Sequence, residues 1–270
     1  GVLVCHYCGY QRPGLLRCPS CGSPYIGGFR AGTQQIEQLV KKRFPGAGVL
    51  RMDLDTTRKK GGHEKILEAF AEKKASILIG TQMIVKGHDF PGVTLVGVLA
   101  ADLSLHGGDY RAAERTFQLL TQAVGRAGRG TKPGEAVIQT YSPDHYAVQT
   151  AAEQDYEAFY RQEMNYRKLL GYPPASSLMA VHGSGTDEAQ LALAMEYLQK
   201  FLVKLDRNRQ LQIIGPAPES IARISDRYRS VLYVKQKDYS LLVWMKDRLE
   251  QYIEVNKGFQ KITIQFEFNG

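Results

Sequence analysis

The chain has 270 residues, of which 43% are hydrophobic and 23% are charged, and its formal net charge is +8. This is the composition of an ordinary globular protein. No apolar run approaches the ~20 residues that a membrane-spanning helix needs, so a membrane protein is excluded and no membrane partner is expected. The first residue is Gly rather than Met, and we expect the chain to be a piece of a longer protein.

The positive charge is concentrated near the start of the chain. Residues 1–60 carry ten Lys or Arg against three Asp or Glu, whereas residues 61–170 carry twelve against thirteen. Such an excess favours anionic partners such as nucleic acid, although solubility alone also explains a net charge of this size.

All four cysteines lie within the first 21 residues, as two Cys-x-x-Cys pairs formed by Cys5, Cys8, Cys18 and Cys21. Two such pairs can supply the four thiolates of a tetrahedral zinc site. We therefore predict a zinc-binding region over residues 1–29, with disulfides or free thiols as the alternative. His6 is expected to be a loop residue. Reduced thiols indicate a cytoplasmic protein.

Residues 30–143 are predicted to form one α/β domain, because helical and strand patterns alternate along this stretch. Thr33 is placed to cap the first helix, and residues 118–124 show helical spacing. The predicted strands span residues 49–55, 76–80, 93–102 and 135–140. A parallel sheet with helices on both faces follows.

The rest of the chain has a different order of predicted helices and strands. Residues 144–175 are predicted to be a connecting helix and linker. Residues 176–270 are predicted to fold as an α+β ferredoxin-like domain, because strands and helices follow in the order β-α-β-β-α-β. Trp244 is expected in its core. Asp53 and Asp55, at the end of an earlier strand, are expected to order the loop that follows.

The stretch "QLLTQAVGRAGRG", residues 118–130, ends in two arginines held between glycines. Arg126 and Arg129 are three residues apart, which on a helix places them on one side. Arginine suits phosphate oxygens, and small neighbours allow a phosphate to approach. The alternative is a helix C-terminus whose cations stabilise the helix dipole.

A second polar stretch, "GTQMIVKGHDFPGVTLV" (80–96), follows a predicted buried strand. In open α/β sheets, ligands bind at the carboxyl ends of the strands. Lys86, Gly87 and Asp89 offer a cation, a hinge and a carboxylate, and Thr81 and Gln82 can donate to a nucleic-acid phosphate.

These two stretches resemble motifs V and VI of superfamily 2 helicases. The blocks "CHYCGYQRP", "CPSCGS", "GTQQIEQLV", "RMDLDTT", "DYRAAERTFQLLTQAVGRAGR", "LLGYPP" and "IIGPAPESIARISDRYR" occur in the order seen in the PriA family of primosomal helicases. The resemblance covers essentially the whole chain. It implies that residues 30–143 are a RecA-like helicase lobe 2.

The resemblance also implies roles for single residues. Arg126 and Arg129 match the arginines that reach the γ-phosphate of ATP, and Gln122 belongs to the same motif. Gly87 and Asp89 match residues near ATP. Thr81 and Gln82 match the start of motif V, which contacts the DNA backbone.

The implied activity is ATP-dependent 3′-to-5′ DNA unwinding at stalled replication forks, with Mg²⁺ and assembly of the primosome. The implied partners are branched and single-stranded DNA, primosome proteins, single-stranded DNA-binding protein and the loader of the replicative helicase. Lobe 1 would carry a Gly-x-x-x-x-Gly-Lys-Ser/Thr loop, which is absent from this sequence. The stretch "DEAQ" (187–190) resembles the acidic pair with which lobe 1 holds Mg²⁺, but we interpret it as the start of a helix. The chain alone is therefore expected to be inactive.

Two further features depend on the resemblance. The family has four Cys-x-x-Cys pairs and two zinc ions, and the two pairs here match the third and fourth, each without its partner pair. They can regroup around one metal, misfold or remain empty. The C-terminal domain is implied to bind DNA, through Arg223, Arg227, Tyr228 and Arg229 of "RISDRYR". A solvated basic hairpin is the alternative.

Overall fold

The structure is a computed structural model. It describes residues 2–4, 11–14, 17, 21–24, 32–57, 61–85, 90–105 and 107–269. The chain divides into two compact units, one formed by residues 17–160 and the other by residues 1–16 with 161–270. Within the described ranges, no helix is both long enough and apolar enough to span a membrane.

A short antiparallel pair of strands lies at the start of the chain. Strands β1 (Val2–Val4) and β2 (Gln11–Pro13) pair with Val2 opposite Pro13.

The unit of residues 17–160 alternates helices and strands, as the sequence predicts. Its elements are α1 (Thr33–Arg43), β3 (Val49–Met52), α2 (Gly62–Ala71), β4 (Ile77–Gly80), β5 (Leu95–Val98), α3 (Asp102–Leu105), α4 (Ala112–Val124), β6 (Glu135–Ile138), α5 (Tyr146–Glu153) and the start of α6 (Tyr156–Leu170).

The strands of this unit are parallel but do not form the single sheet that the sequence predicts. In the described residues, β3 pairs with β4 and β5 pairs with β6, as two separate pairs. The predicted strand 93–102 is also too long. Only four of its residues are extended, and Leu95 is 62% exposed although a continuous apolar run predicts burial on both faces.

The core of this unit joins α4 to the two helices that follow it. Phe117 stacks on Phe159 with ring centroids 4.1 Å apart, and both side chains are buried. Ala147 and Ala151 are fully buried beside them. The predicted connecting helix is interrupted at Gln154, whose φ of 56° is left-handed and ends α5.

The second unit contains a four-stranded antiparallel sheet. Its elements are β7 (Ser177–Gly185), α7 (Glu188–Leu205), β8 (Gln212–Ile224), β9 (Arg227–Gln236), α8 (Tyr239–Val255) and β10 (Thr263–Phe268). The strand order is β10-β7-β9-β8, and every neighbouring pair is antiparallel. The order β-α-β-β-α-β along the chain is the one that the sequence predicts.

The two helices cover one face of this sheet. Met179 and Val181 of β7 lie opposite Val234 and Leu232 of β9, and all four side chains are fully buried in the cluster that includes α7 and α8. On α8, three buried side chains at spacings of three and four residues point to the sheet, namely Leu242, Met245 and Leu249.

Trp244 is not in the core, and that prediction was wrong. It lies one residue off the buried stripe of α8, so the residue is 42% exposed. The guanidinium of Arg248 lies 5.3 Å from the ring centroid.

The other face of the sheet is contacted by the segment that follows α6. Lys235 is buried, its ammonium lies 3.4 Å from the centroid of the Tyr172 ring, and it donates to the Leu170 carbonyl at 3.0 Å. Burial lowers the pKa of Lys235. The "LLGYPP" block of the sequence is thus the stretch that packs on β9.

Candidate nucleotide and nucleic-acid site

The two motif VI arginines lie just after α4, not on its face. The helix ends at Val124, and a turn over residues 125–128 follows. Arg126 is half-buried in this turn, and Arg129 is exposed beyond it. The Nε of Arg129 donates to the Gly125 carbonyl at 2.6 Å, which is the helix-end interaction that the alternative interpretation predicts.

The arginine turn is fixed by close backbone contacts. Gly128 adopts a left-handed φ of 74°, which favours glycine, and its N–H donates to the Val93 carbonyl at 3.0 Å. A Cβ on Gly128 would lie 2.7 Å from the nitrogen of Gly134. Glycines at these positions therefore let the turn pack directly on the segment before β6.

Helix α4 brings the beginning of motif V close to motif VI. Its buried side chains include Phe117, Leu120 and Ala123, and it contacts the 3-10 turn Gln82–Val85 that follows β4. Gln122 is exposed on its last turn.

Thr81 and Gln82 are also exposed, at the carboxyl end of β4, where ligands bind in open α/β sheets. Gly87 and Asp89, with Lys86, lie outside the described residues, so their predicted place near ATP stays a prediction.

The adjacent strand end is organised by Asp53. Because Met52 of β3 pairs with Gly80 of β4, Asp53 and Thr81 follow neighbouring strand ends. The Asp53 carboxylate accepts from the N–H groups of Asp55 and Thr56, so the prediction that it orders this loop is confirmed.

Thr33 stabilises the same loop, and this role of Thr33 was not predicted from the sequence. Its hydroxyl donates to Asp53 at 2.5 Å, while α1 begins at Thr33 with Gly32 at the cap position and no side-chain cap. Its predicted role as the N-cap was wrong. A Thr-to-Asp contact across 20 residues has no local sequence pattern, so only the fold could show it.

We expect Asp53→Asn to destabilise the chain at neutral pH and to have little effect in acid. The hydrogen bond from Thr33, with those from Thr56 and the charge of Arg51, outweighs burial and holds the pKa of Asp53 below its ordinary 3.8. A lowered pKa stabilises the fold above about pH 4, and that contribution is lost as pH falls through the folded-state pKa.

The measurement is urea unfolding of the unchanged chain and of the Asp53→Asn variant between pH 3 and pH 7. A destabilisation that stays constant over this range would show that the ionised carboxylate is not the stabilising group. Asp144→Asn, at an exposed residue of the same unit, is the control.

Asp102 has a structural role. Its carboxylate is buried and accepts from the Thr140 hydroxyl at 2.8 Å and the Tyr141 N–H at 2.9 Å. Burial alone would raise its pKa, but these hydrogen bonds and one from Ser142 hold the pKa below its ordinary value. Asp102 thus joins the start of α3 to the segment that follows β6.

The predicted zinc ligands are mostly outside the described residues. Cys5, Cys8 and Cys18 are not among them, and Cys21 is an exposed free thiol. The described part of the chain contains no group of three or more His, Cys, Asp or Glu side chains arranged to hold a metal.

The predicted DNA-binding cluster lies at the tip of the β8–β9 hairpin. Ser225 and Asp226 have positive φ values of 48° and 62°, as two-residue hairpin turns require. Arg223 lies opposite Tyr228, with its guanidinium 5.0 Å from the ring centroid and an ion pair to Asp226 at 2.6 Å. Tyr228 is half-buried against the helix-side core.

The other two arginines of this cluster contact groups within their own unit. Arg229 forms an ion pair with Glu219 at 2.5 Å. Arg227 donates to the Ser184 carbonyl at 3.1 Å and to the Thr263 hydroxyl at 3.0 Å. A phosphate would therefore have to exchange with these contacts, and the DNA-binding role of the four residues stays a prediction.

The acidic "DEAQ" stretch is a helix start, as predicted. Asp187 is the N-cap of α7, and its carboxylate accepts from the Gln190 N–H at 2.9 Å.

Two family models match the chain. A family model described as "Helicase conserved C-terminal domain" matches residues 28–131, and one described as "Primosomal protein N C-terminal domain" matches residues 168–267. The Replication restart protein PriA of Bacillus subtilis is 50% identical over 251 residues, which are 93% of this chain and 31% of the relative. The chain belongs to the PriA family.

Other PriA proteins also match most of the chain. The one from Synechocystis is 41% identical over 93% of this chain and 30% of its own length. The one from Haemophilus influenzae is 38% identical over 84% of this chain and 31% of its own length. The chain thus spans about a third of the length of the PriA relatives it matches.

The helicase family match gives residues 28–131 the α/β fold of a RecA-like lobe 2. Among solved structures, the de novo designed protein Foldit4 is similar to 34% of this chain and 94% of its own, at 10% identity. Its TM-score of 0.28 is too low to support a statement on the fold.

Proposed function

We propose that this chain is the C-terminal part of an ATP-dependent 3′-to-5′ DNA helicase that restarts stalled replication forks and assembles the primosome. In this proposal, Arg126 and Arg129 stabilise negative charge on the γ-phosphate of ATP as it is transferred. Gln122 lies beside them, and Thr81 and Gln82 contact the DNA backbone. Gly87 and Asp89 are assigned to the ATP side of the site.

The observation that carries this proposal is the arrangement at the end of α4. One helix leads into the turn with Arg126 and also contacts the 3-10 turn that begins at Gln82. A motor that couples ATP hydrolysis to movement along DNA needs these two groups on one rigid lobe, so that displacement of one moves the other.

The chain by itself is expected to hydrolyse no ATP. Its sequence has no glycine-lysine loop to hold the β- and γ-phosphates, and the acidic pair of its DEAQ stretch (187–190) forms the start of α7. The measurement is DNA-stimulated ATPase of the purified chain, alone and with the separately purified lobe 1 of a PriA relative. Turnover by the chain alone that disappears in the Arg129→Ala variant would contradict this expectation.

We also propose that the second unit is a ferredoxin-like DNA-binding domain. The strand order β10-β7-β9-β8, with both helices on one face, supports the fold assignment. The clustering of Arg223, Tyr228 and Arg229 at a hairpin tip supports the binding role, because arginine neutralises phosphates and a tyrosine ring can stack on a base.

Single-stranded DNA binding by the chain is expected to weaken with salt, partly through the hairpin tip. Each arginine–phosphate contact on a single strand contributes about 0.7 to the slope of log affinity against log salt. The double variant Arg223→Ala, Arg229→Ala should therefore flatten the slope by about 1.4. Fluorescence anisotropy at several salt concentrations measures this.

The matched control is Arg207→Ala with Arg209→Ala. These two exposed arginines precede β8, at the opposite end of that strand from the hairpin tip. An equal flattening in both double variants would mean that general positive charge, and not the hairpin tip, binds the DNA.

In the intact protein, Cys5, Cys8, Cys18 and Cys21 are proposed to bind zinc together with cysteine pairs outside this chain. Thiolates are suitable zinc ligands, and the exposed thiol of Cys21 is accessible to a metal. The same proposal places the protein in the cytoplasm. Its proposed partners are branched and single-stranded DNA, primosome proteins, single-stranded DNA-binding protein and the loader of the replicative helicase.

A further inference from the structure

Strand β10 forms an open edge of the sheet in the second unit. It pairs with β7 on one side, and in the part of the chain that the structure describes no strand pairs with its other side. The N–H of Asn269 donates to the Leu178 carbonyl at 2.8 Å, which fixes the alternation along the ladder. Ile264, Phe266 and Phe268 therefore direct their backbone N–H and C=O groups to the open edge.

A groove of about 980 Å³ runs along this edge. Its apolar surface comes from Ile264, Phe266 and Phe268 of β10 with Ile253 of α8, all of them only partly buried. The groove exists because α8 packs over β7 and β9. The side chains of β10 therefore extend beyond the cover of the helix.

The rim of the groove is acidic. Glu250 and Glu254 of α8 and Glu267 of β10 face it, against one ammonium group, that of Lys246. That ammonium lies 2.8 Å from Glu250, and among the described residues it forms no ion pair with Glu254 or Glu267.

Neither Lys246 nor His182 makes the charge of the rim positive. Lys246 also contacts Asp247 at 3.1 Å, so its charge is shared between two carboxylates. Glu267 lies 3.4 Å from Nε2 of His182, whose other ring nitrogen is 2.9 Å from Glu219.

The negative charge of the rim discriminates between the possible ligands of the groove. Nucleic acid is disfavoured, because its phosphates would meet three carboxylates. A second copy of the chain is also disfavoured, because pairing β10 with itself would place one acidic rim against another. An extended peptide with basic side chains satisfies both the open hydrogen bonds and the charge.

We propose that β10 binds an extended segment of a partner protein in which apolar and basic residues alternate, as a fifth strand of the sheet. Alternate side chains of an added strand point to opposite faces. One set would lie over Ile264 and Phe266, and the other would lie beside Glu267, with Glu254 adding negative charge at the rim. This surface goes beyond the helicase function proposed above and does not depend on it.

The test uses the 270-residue chain and a seven-residue peptide of alternating valine and lysine, with binding followed by calorimetry. Two further peptides carry N-methyl groups on every second amide, one on each edge of the extended peptide. Methylation of the pairing edge should weaken binding about tenfold or more, because several backbone hydrogen bonds are lost. Methylation of the opposite edge should have little effect.

Protein variants test the charge. Glu254→Gln combined with Glu267→Gln should weaken binding of the valine–lysine peptide about threefold to tenfold at low salt, as expected for exposed ion pairs. Glu196→Gln, which removes a carboxylate from α7 outside the groove, should leave the affinity unchanged.

Three results would overturn the proposal. They are equal effects of methylation on the two edges, equal binding of a valine–glutamate peptide, and no binding of the valine–lysine peptide at low salt. Concentration-dependent dimerisation that the Glu254 and Glu267 variants strengthen would instead assign the edge to a second copy of this chain.

Discussion

Replacing Arg126 with Ala in the full-length protein is expected to lower ATP turnover about 10³-fold or more, with a smaller loss of nucleotide affinity. The guanidinium is proposed to act on charge that develops as the γ-phosphate is transferred. Its loss should therefore raise the energy of the transition state more than that of bound ATP. Steady-state ATPase rates, together with equilibrium binding of a non-hydrolysable nucleotide, measure the two effects separately.

Arg129→Ala should lower turnover to a similar extent, but it also removes a structural contact. Its Nε donates to the Gly125 carbonyl, so Arg129→Lys separates charge from geometry. Lys132→Ala, at an exposed cation three residues further along, is the control and should leave turnover nearly unchanged. Equal losses of binding and turnover would show that the arginines hold ground-state phosphate instead.

The parts of the fold that the sequence predicted are those with a local cause. Asp187 caps α7 because its carboxylate reaches an N–H only three residues ahead. The order of strands and helices after residue 176 followed from periodicity and turn residues alone. Asp53 was placed correctly because a carboxylate at a strand end bonds to the next N–H groups along the chain.

The parts that the sequence missed depend on distant contacts. Periodicity places Trp244 next to buried leucines, but only the exact phase of α8 on the sheet shows that its ring is exposed. Thr33 has the right type for a cap, and its hydroxyl is instead bonded to a carboxylate 20 residues away.

In the candidate site, too, the local sequence features were predicted and the backbone that carries them was not. The motifs identified Arg126 and Arg129 by residue type and spacing, and the structure places both shortly after the end of α4. It differs on the backbone that carries them, because the helix ends at Val124 and a glycine turn follows. Glycine lowers helix propensity, but the position at which a helix ends is set by what the turn packs against.

The close packing around the arginine turn leads to a second large expected effect, on the free energy of unfolding. Gly134→Ala is expected to destabilise the unit of residues 17–160 by about 1–3 kcal/mol, because an added methyl group has no space without a backbone shift. A Cβ on Gly134 would overlap the backbone of Ala127 and Gly128, within the turn that carries Arg126. The neighbouring backbone cannot move aside as a flexible side chain could.

The control is Gly97→Ala, in β5 of the same unit. A Cβ there has no described atom within 4 Å, so this variant should unfold at nearly the same denaturant concentration as the unchanged chain. Because Gly134 lies outside the arginine motif but touches the turn that carries it, Gly134→Ala in the full-length protein should also lower ATP turnover while Arg126 and Arg129 remain present. Urea unfolding of the 270-residue chain, followed by ATPase assays of the full-length variant, tests both effects. Unchanged stability and turnover would mean that the arginine turn can be displaced without cost, and that its close backbone packing does not position the guanidinium groups.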